Sequence, residues 1–351
     1  MIRINRLSEL AEGDILNRGF EYDDSAEETV AVIIEDVRKR GDEALFEYTR
    51  RFDGVALPAL EITEQEFDEA EAQIDPYFAE TLRQAKENIA NFHARQLHEN
   101  FVLTEQPGTI LGQRYTPIAK VGIYVPGGTA AYPSSVLMNA IPAKIAGVGE
   151  IVMVTPPGPD GKVPAVILAA ARIAGVDRVF KIGGAQAVAA LAYGTQTVPK
   201  VQKIVGPGNK YVATAKRRVF GLVDIDMIAG PSEILIVADE TANPVHVAAD
   251  MLSQAEHDTD ASAVLITISE ALAKKVSEEL ERQIPLLPRA GICRQSIDEN
   301  GRILIAESLR EALDAANRIA PEHLELFVEE PFGLLGLVKN AGSIFLGKNT
   351  P

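Results

Sequence analysis

The chain has 351 residues, 46% of them hydrophobic and 24% charged, which is ordinary for a soluble enzyme of about two domains. Its 50 acidic residues outnumber 34 basic ones, and the formal net charge of −16 argues against nucleic acid as a partner. No apolar run is long enough to span a bilayer, and the single Cys293 excludes an intramolecular disulfide, so we expect no membrane partner and a cytoplasmic location.

The first hundred residues have the pattern of helices. Between Glu27 and Arg40 the apolar positions recur at helical spacing, and Gly41 is a plausible stop. The stretch from Glu64 to Leu97 is rich in helix formers, and Pro76 divides it into two helices. We also expect a helical arm over residues 1–20.

From Lys120 onward, short apolar runs end in turns of glycine and proline, and alanine-rich stretches follow two of them, Ala165–Ala174 and Ala185–Tyr193. The four runs are Val121–Val125, Ile151–Val154, Val179–Ile182 and Ile204–Val205. Strand, turn and helix repeated in this way predict a parallel α/β sheet. A second series of five runs predicts another such unit: Glu233–Val237, Ala263–Ile268, Arg302–Ile305, Leu324–Val328 and Ser343–Leu346.

Two of the glycine turns could bind a phosphate. Gly183–Gln186 and Gly206–Asn209 each lie between a strand and a helix, where backbone amides and the helix dipole favour an anion. Neither has the G-x-G-x-x-G spacing, and the strand Ile151–Val154 lacks the terminal acid that usually contacts a ribose. Such turns are also required structurally in any α/β protein, so both interpretations stay open.

Two clusters of polar residues are candidates for chemistry. Gln254 and His257 are three apart and share one face of a helix, as two ligands of one ion would. Glu322 and His323 follow Pro321, and an adjacent acid and imidazole suit proton transfer near neutral pH. The alternatives are a polar helix face for the first cluster and a solvated strand start for the second.

The remaining candidates have mainly structural interpretations. Ser232 could cap a turn, and three histidines, His93, His98 and His246, fit exposed helix positions. Cys293 suggests a different class of enzyme, an aldehyde dehydrogenase with a cysteine nucleophile, but no glycine-flanked elbow or nearby histidine supports it.

Taken together, these motifs closely resemble the histidinol dehydrogenase family, and the resemblance covers nearly the whole chain. The stretches that carry it are Asp36–Asp42, Val121–Gly128, Gly183–Ala187, Gly206–Asn209, Ala229–Glu233, Gln254–His257 and Pro321–Glu325. The resemblance implies an α/β fold of two incomplete Rossmann-like parallel-sheet domains with an N-terminal helical segment. We expect residues 21–120 with 233–351 to form one domain and residues 121–232 the other.

The resemblance also implies a reaction, the oxidation of L-histidinol through L-histidinal to L-histidine with NAD, in a homodimer. In such an enzyme His323 is the general base and Glu322 activates water. Gln254 and His257 are zinc ligands and substrate contacts, and Ser232, Glu322 and His323 also contact substrate. Tyr124, Gln186 and Asn209 match the family's NAD contacts.

Two departures from the family pattern bear on activity. The family continues for several dozen residues beyond the point that matches Pro351 and draws further zinc ligands from them, so we expect an incomplete zinc site here. Ile228 stands where the family usually has proline. A catalytically silent NAD-binding protein and the Cys293 aldehyde dehydrogenase therefore remain as alternatives.

Overall fold

The structure is a computed structural model that describes residues 1–9, 24–127, 131–228 and 230–350. Its contacts divide the chain into two compact units, Tyr22–Ala229 and Met1–Glu21 with Gly230–Pro351. Both are α/β with parallel sheets, as predicted. Gly128, Ala229 and residues 10–23, which include half of the predicted N-terminal arm, lie outside the described residues. No helix in the described part of the chain is long and apolar enough to cross a membrane.

The chain begins with a strand where a helical arm was predicted. Strand β1 (Arg3–Arg6) pairs in parallel with β11 (Arg302–Ile305) and forms the outermost strand at one edge of that sheet. The flanking side chains of Ile2 and Leu7 are buried. A four-residue strand with three polar residues is too short to show a periodicity of its own, so its pairing to a distant strand decides its conformation.

Four helices open the unit Tyr22–Ala229: α1 (Asp24–Arg40), α2 (Asp42–Phe52), α3 (Glu64–Glu71) and α4 (Pro76–His93). Local signals explain their bounds. Thr63 forms a capping box with Glu66 at the start of α3, and Pro76 is the first residue of α4, where its missing N–H costs nothing. The predicted division at Pro76 is confirmed.

A five-stranded parallel sheet forms the centre of this unit, with the order β6-β5-β4-β7-β8. Its elements are β4 (Lys120–Tyr124), α5 (Pro133–Ile145), β5 (Glu150–Thr155), α6 (Ala165–Ala174), β6 (Arg178–Lys181), α7 (Gly184–Tyr193), β7 (Lys203–Val205), α8 (Lys210–Val219) and β8 (Asp224–Ile225). The strand order reverses between β4 and β7, and in such sheets ligands bind beyond the carboxyl ends of the strands at that point.

A six-stranded parallel sheet forms the centre of the other unit, with the order β1-β11-β10-β9-β12-β13. Its further elements are β9 (Glu233–Ala238), α9 (Pro244–Ala255), β10 (Ser262–Thr267), α10 (Glu270–Gln283), α11 (Ala290–Glu299), α12 (Leu309–Ile319), β12 (His323–Phe327), α13 (Pro331–Leu335) and β13 (Ser343–Leu346). Apart from β1, it repeats the winding of the first sheet.

The predicted grouping of residues 21–120 with 233–351 differs from this division. Apolar residues of α1 and α2, such as Val30 and Leu45, pack in one buried cluster with Val188 of α7 and Val212 of α8. The N-terminal helices therefore cover the five-stranded sheet. Helix-to-sheet packing of this kind depends on which apolar faces meet, and an amphipathic pattern does not identify its partner.

A short antiparallel hairpin was not predicted. Strands β2 (Phe101–Leu103) and β3 (Leu111–Gln113) pair with each other, and every residue of both is exposed.

Candidate functional site

The hydroxyl of Tyr124 joins two turns at the carboxyl edge of the five-stranded sheet. Tyr124 is the last residue of β4, is 4% exposed, and accepts a hydrogen bond from the backbone N–H of Gly184 at 3.0 Å. Burial, together with the nearby charge of Asp53, raises the pKa of Tyr124 to about 12. The side chain therefore stays a neutral phenol, with its O–H able to donate.

Gln186, in the first turn of α7, carries a buried polar atom that lacks a partner. The side chain is 1% exposed, and its Oε1 accepts no hydrogen bond from the residues that the structure describes. Gly184 has a φ of 64°, and a Cβ there would lie 2.6 Å from this oxygen. Glycine thus keeps the space beside Oε1 open, and an unsatisfied buried acceptor suits a ligand that donates a hydrogen bond.

Asn209 lies on the neighbouring turn, at the start of α8. Its Oδ1 caps the helix by accepting hydrogen bonds from the amides of Tyr211 and Val212, at 3.1 and 3.2 Å, while the residue stays exposed. Since β4 and β7 are adjacent, Asn209 and Tyr124 lie at the point where the strand order reverses. The three predicted cofactor residues therefore gather at one edge of one sheet.

His323 and Glu322 lie at the amino end of β12, in the other unit. The Nδ1 of His323 is 3.0 Å from the carbonyl oxygen of Glu233 and 3.6 Å from Oε2 of Glu322. A carbonyl can only accept, so this contact places the proton on Nδ1 and leaves a lone pair on Nε2. Glu322 also accepts a hydrogen bond from the amide of Glu233 at 3.3 Å. The ring is 28% exposed and stacks on Phe345.

Ser232 immediately precedes Glu233, the first residue of the adjacent strand β9. Its carbonyl accepts the amide of Ser262 at 2.9 Å, which binds it to the start of β10. Ser232, Glu322 and His323 are therefore brought together at the amino edge of the six-stranded sheet.

Gln254 lies in the last turn of α9, whereas His257 lies in the turn beyond it, so the predicted single helix face does not extend to His257. The amide of His257 donates to the carbonyl of Gln254 at 3.1 Å, in the turn that ends the helix. A helix that joins parallel strands runs back along the sheet, so its end lies at the amino edge near Ser232. Within the described ranges, no group of three or more His, Cys, Asp and Glu could hold a metal. These two donors are therefore a partial set for zinc, which takes four ligands.

Sequence analysis missed two carboxylic acids behind this edge, one buried (Glu325) and one half-buried (Asp250). Glu325 follows His323 by two residues and so points to the same face of the sheet; it is 3% exposed. Burial, with the charge of Asp250 on α9, raises the pKa of Glu325 to about 8. Burial likewise raises the pKa of Asp250 to about 6. The only signal in the sequence was Glu325 itself, a single acid within the otherwise apolar stretch 324–328.

Cys293 does not fit the role of a nucleophile. It is fully buried on α11, and burial raises its pKa to about 11, so its thiolate is scarce at neutral pH. The aldehyde dehydrogenase alternative therefore lacks its reactive group.

The carboxyl edge of the six-stranded sheet is closed by its own side chains. Asp239, directly after β9, accepts hydrogen bonds from the amides of Thr241 at 3.0 Å and Glu329 at 2.9 Å. Lys348 forms an ion pair with Glu329 at the same place. The carboxylate of Asp239 thus accepts hydrogen bonds from backbone amides that could otherwise bind an anionic ligand.

Comparison with known proteins gives a consistent result. The family model for histidinol dehydrogenase matches residues 16–351. The chain is 56% identical to histidinol dehydrogenase of Listeria monocytogenes serotype 4b (strain F2365), over 92% of this chain and 75% of that protein. It is 56% identical to the Geobacter sulfurreducens enzyme, over 96% and 79%. The crystal structure of histidinol dehydrogenase from Elizabethkingia anophelis matches with a TM-score of 0.93 and 36% identity, over 99% of this chain and 81% of that one.

Proposed function

The chain belongs to the histidinol dehydrogenase family, oxidoreductases of histidine biosynthesis, and from this premise we propose that it oxidises L-histidinol to L-histidine with NAD⁺. The observation that carries the proposal is the hydrogen bond from His323 Nδ1 to the Glu233 carbonyl, since it leaves the imidazole lone pair on Nε2 of a ring that is 28% exposed. The other unit supports it with a Gln186 oxygen that has no hydrogen-bond partner among the described residues and lies beside a glycine turn.

His323 acts as the general base in the first oxidation. The alcohol O–H bond breaks and its proton moves to Nε2, while the hydrogen on the carbinol carbon leaves with its electron pair. NAD⁺ held by Tyr124, Gln186 and Asn209 would supply the hydride acceptor, and the product is the aldehyde. The carboxylate of Glu322, 3.6 Å from Nδ1, stabilises the imidazolium that results. A positioned base of this kind contributes roughly 100- to 10,000-fold to the rate.

Glu322 acts on water in the second oxidation. It removes a proton from a water molecule that adds to the aldehyde carbon, while the His323 imidazolium returns its proton to the carbonyl oxygen, and a hydrated aldehyde forms. His323, neutral again, takes an O–H proton of the hydrate as the hydrogen on carbon leaves with its electron pair, for which a second NAD⁺ would be the acceptor. The product is a carboxylic acid, which ionises. Glu322 is 51% exposed, so water can reach it.

Tyr124, Gln186 and Asn209 are proposed to hold the cofactor. Gln186 offers an acceptor without a partner, and Tyr124 offers a neutral O–H. Asn209 stands at a helix start, where the dipole favours phosphate. Each residue therefore presents a group of the type that a dinucleotide requires.

Gln254 and His257 are proposed to supply part of the coordination of a zinc ion, with Ser232 as a further substrate contact. Two donors do not make a closed zinc site, so we derive no step of the reaction from the metal. We also propose a cytoplasmic homodimer, as the family resemblance implies.

Replacing His323 tests the proposal. His323→Ala, assayed with histidinol, NAD⁺ and added zinc, should lower kcat by roughly 100-fold or more while NAD⁺ still binds. His98→Ala, which removes an exposed ring stacked on Tyr115, is the matched control. NAD⁺ binding without any histidinol oxidation by the unaltered chain would favour the silent NAD-binding protein instead. An unchanged kcat in His323→Ala would remove His323 from the mechanism.

A further inference from the structure

An ion pair between a buried lysine and a partly exposed aspartate is bonded to both polar groups of one glycine in the β7–α8 turn. Lys216, on α8, is 4% exposed and donates from Nζ to the carbonyl of Gly206 at 2.9 Å. It also forms an ion pair with Asp226, which directly follows β8. The other oxygen of Asp226 accepts the amide of Gly206 at 2.8 Å. The pair thus determines the position of Gly206 from both sides.

Gly206 in turn lies against Tyr124. Its φ is 111°, a conformation that favours glycine, and a Cβ at this position would lie 2.1 Å from the carbonyl oxygen of Tyr124. Tyr124 then reaches Gly184 through its hydroxyl. Because these atoms are closely packed, a movement of Gly206 would displace the ends of β4 and β7 and the first turn of α7 together.

This ion pair contributes little to stability, since desolvation of the buried Lys216 charge offsets much of its attraction to Asp226, whose side chain is 29% exposed. Its effect here is on conformation, because the same two side chains bind the N–H and the C=O of one turn residue. Asp226 also accepts the amide of Met227, at 2.7 Å. The positive charge of Lys216 neutralises the carboxylate of Asp226, whose negative charge would otherwise repel a phosphate bound at this turn.

We propose that Lys216 and Asp226 are positioning residues for the dinucleotide: they hold the β7–α8 turn so that Asn209 and Tyr124 present their cofactor-binding groups. This inference rests on the proposed function, since it assigns these two residues to the same cofactor surface. Neither residue needs to touch the cofactor.

Lys216→Met tests the inference against Lys203→Met as a matched control. Lys203 forms the neighbouring pair with Asp224 on β7 and β8, but its side chain is 34% exposed and that of Asp224 is 55% exposed. We expect Lys216→Met to raise the Kd for NAD⁺ by about tenfold or more, since small misplacements of binding groups cost factors of this size or larger. The affinity for histidinol with added zinc should stay within about twofold, because the residues proposed to contact histidinol lie in the other unit. A general loss of structure would instead weaken the binding of both ligands. Lys203→Met should bind both ligands as the unaltered chain does.

A second variant covers a failure of Lys216→Met to fold. Asp226→Asn keeps an acceptor for the Gly206 amide but removes the charge opposite Lys216. It should lower the affinity for NAD⁺ in the same way and leave the affinity for histidinol unchanged. NAD⁺ affinity equal to that of Lys203→Met in either folded variant would overturn the inference, and so would an equal loss of affinity for both ligands. Failure of the unaltered chain to bind NAD⁺ would instead contradict the proposed function, so the two failures are distinguishable.

Discussion

Replacing Glu325 by glutamine should stabilise the protein at neutral and alkaline pH and leave its stability unchanged in acid. Glu325 is 3% exposed, and its Oε2 has no hydrogen-bond partner among the described residues. It pairs in register with Ile236 on the face of the sheet that α9 covers. Glutamine has the same shape as the protonated acid and cannot ionise, so it isolates the cost of the buried charge.

The sign and size of the effect follow from the pKa. Folding raises the pKa of Glu325 from 4.5 to about 8, by burial first and the charge of Asp250 second. The folded state therefore binds the proton more tightly, and stability falls as the pH rises from 4.5 to about 8. The difference of 3.5 in pKa (8 − 4.5) corresponds to a total on the order of 5 kcal/mol. Near pH 7 most of this loss is already present.

Urea unfolding at about pH 5, 7 and 9 measures the effect, with the free energy of unfolding compared between Glu325→Gln and the unaltered chain. Glu240→Gln, at an exposed position after Asp239, is the control and should change little at any pH. Burial raises the pKa of Asp250, and the charge of His246 on the same helix partly offsets that rise; neither residue is changed in Glu325→Gln. An advantage of Glu325→Gln that does not grow between pH 5 and 9 would refute the reasoning.

Three further predictions concern the proposed site. Glu322→Gln should slow the oxidation of histidinal more than that of histidinol, because only the former needs an attacking water; equal slowing in separate assays would assign Glu322 to positioning. Cys293→Ser should leave kcat within about twofold, since the thiol is buried and a thiolate nucleophile is disfavoured; complete loss of activity in a folded variant would restore the cysteine mechanism. The chain 1–351 should retain less than one equivalent of zinc after dialysis, because Gln254 and His257 supply two of about four ligands; stoichiometric zinc by metal analysis would mean that the described residues hold further ligands.

The central strands of both sheets could be predicted from the sequence because they are buried on both faces. Ile151–Val154 is continuously apolar and Ala263–Ile268 is apolar except for Thr267, and the structure places strands at Glu150–Thr155 and Ser262–Thr267. The site residues at strand and helix ends could be proposed because motifs and turns identified them. The structure brings Ser232, Glu322 and His323 to one edge, as expected of a shared site.

Other features depend on contacts distant in sequence. Strand β1 exists because β11 offers it an edge, and the hairpin Phe101–Gln113 has only the turn Pro107-Gly108 as a local signal. Lys216 resembles any surface lysine in the sequence until the fold buries it beside Asp226. Pattern alone cannot tell a buried charge from a solvated one, since burial is decided by neighbours elsewhere in the chain.

The closed edge at Asp239 affects what must happen between the two oxidation steps of the proposed reaction. The two sheets share one winding, but among the described residues the edge at Tyr124 and Asn209 is the one proposed to bind a dinucleotide, because the corresponding edge at Asp239 is filled by its own hydrogen bonds. Under this proposal each chain binds one cofactor molecule at a time, whereas the proposed conversion consumes two. The aldehyde must therefore outlast a complete exchange of spent cofactor for fresh. Its residence time, rather than the speed of either hydride transfer, would decide how much of the reactive intermediate escapes.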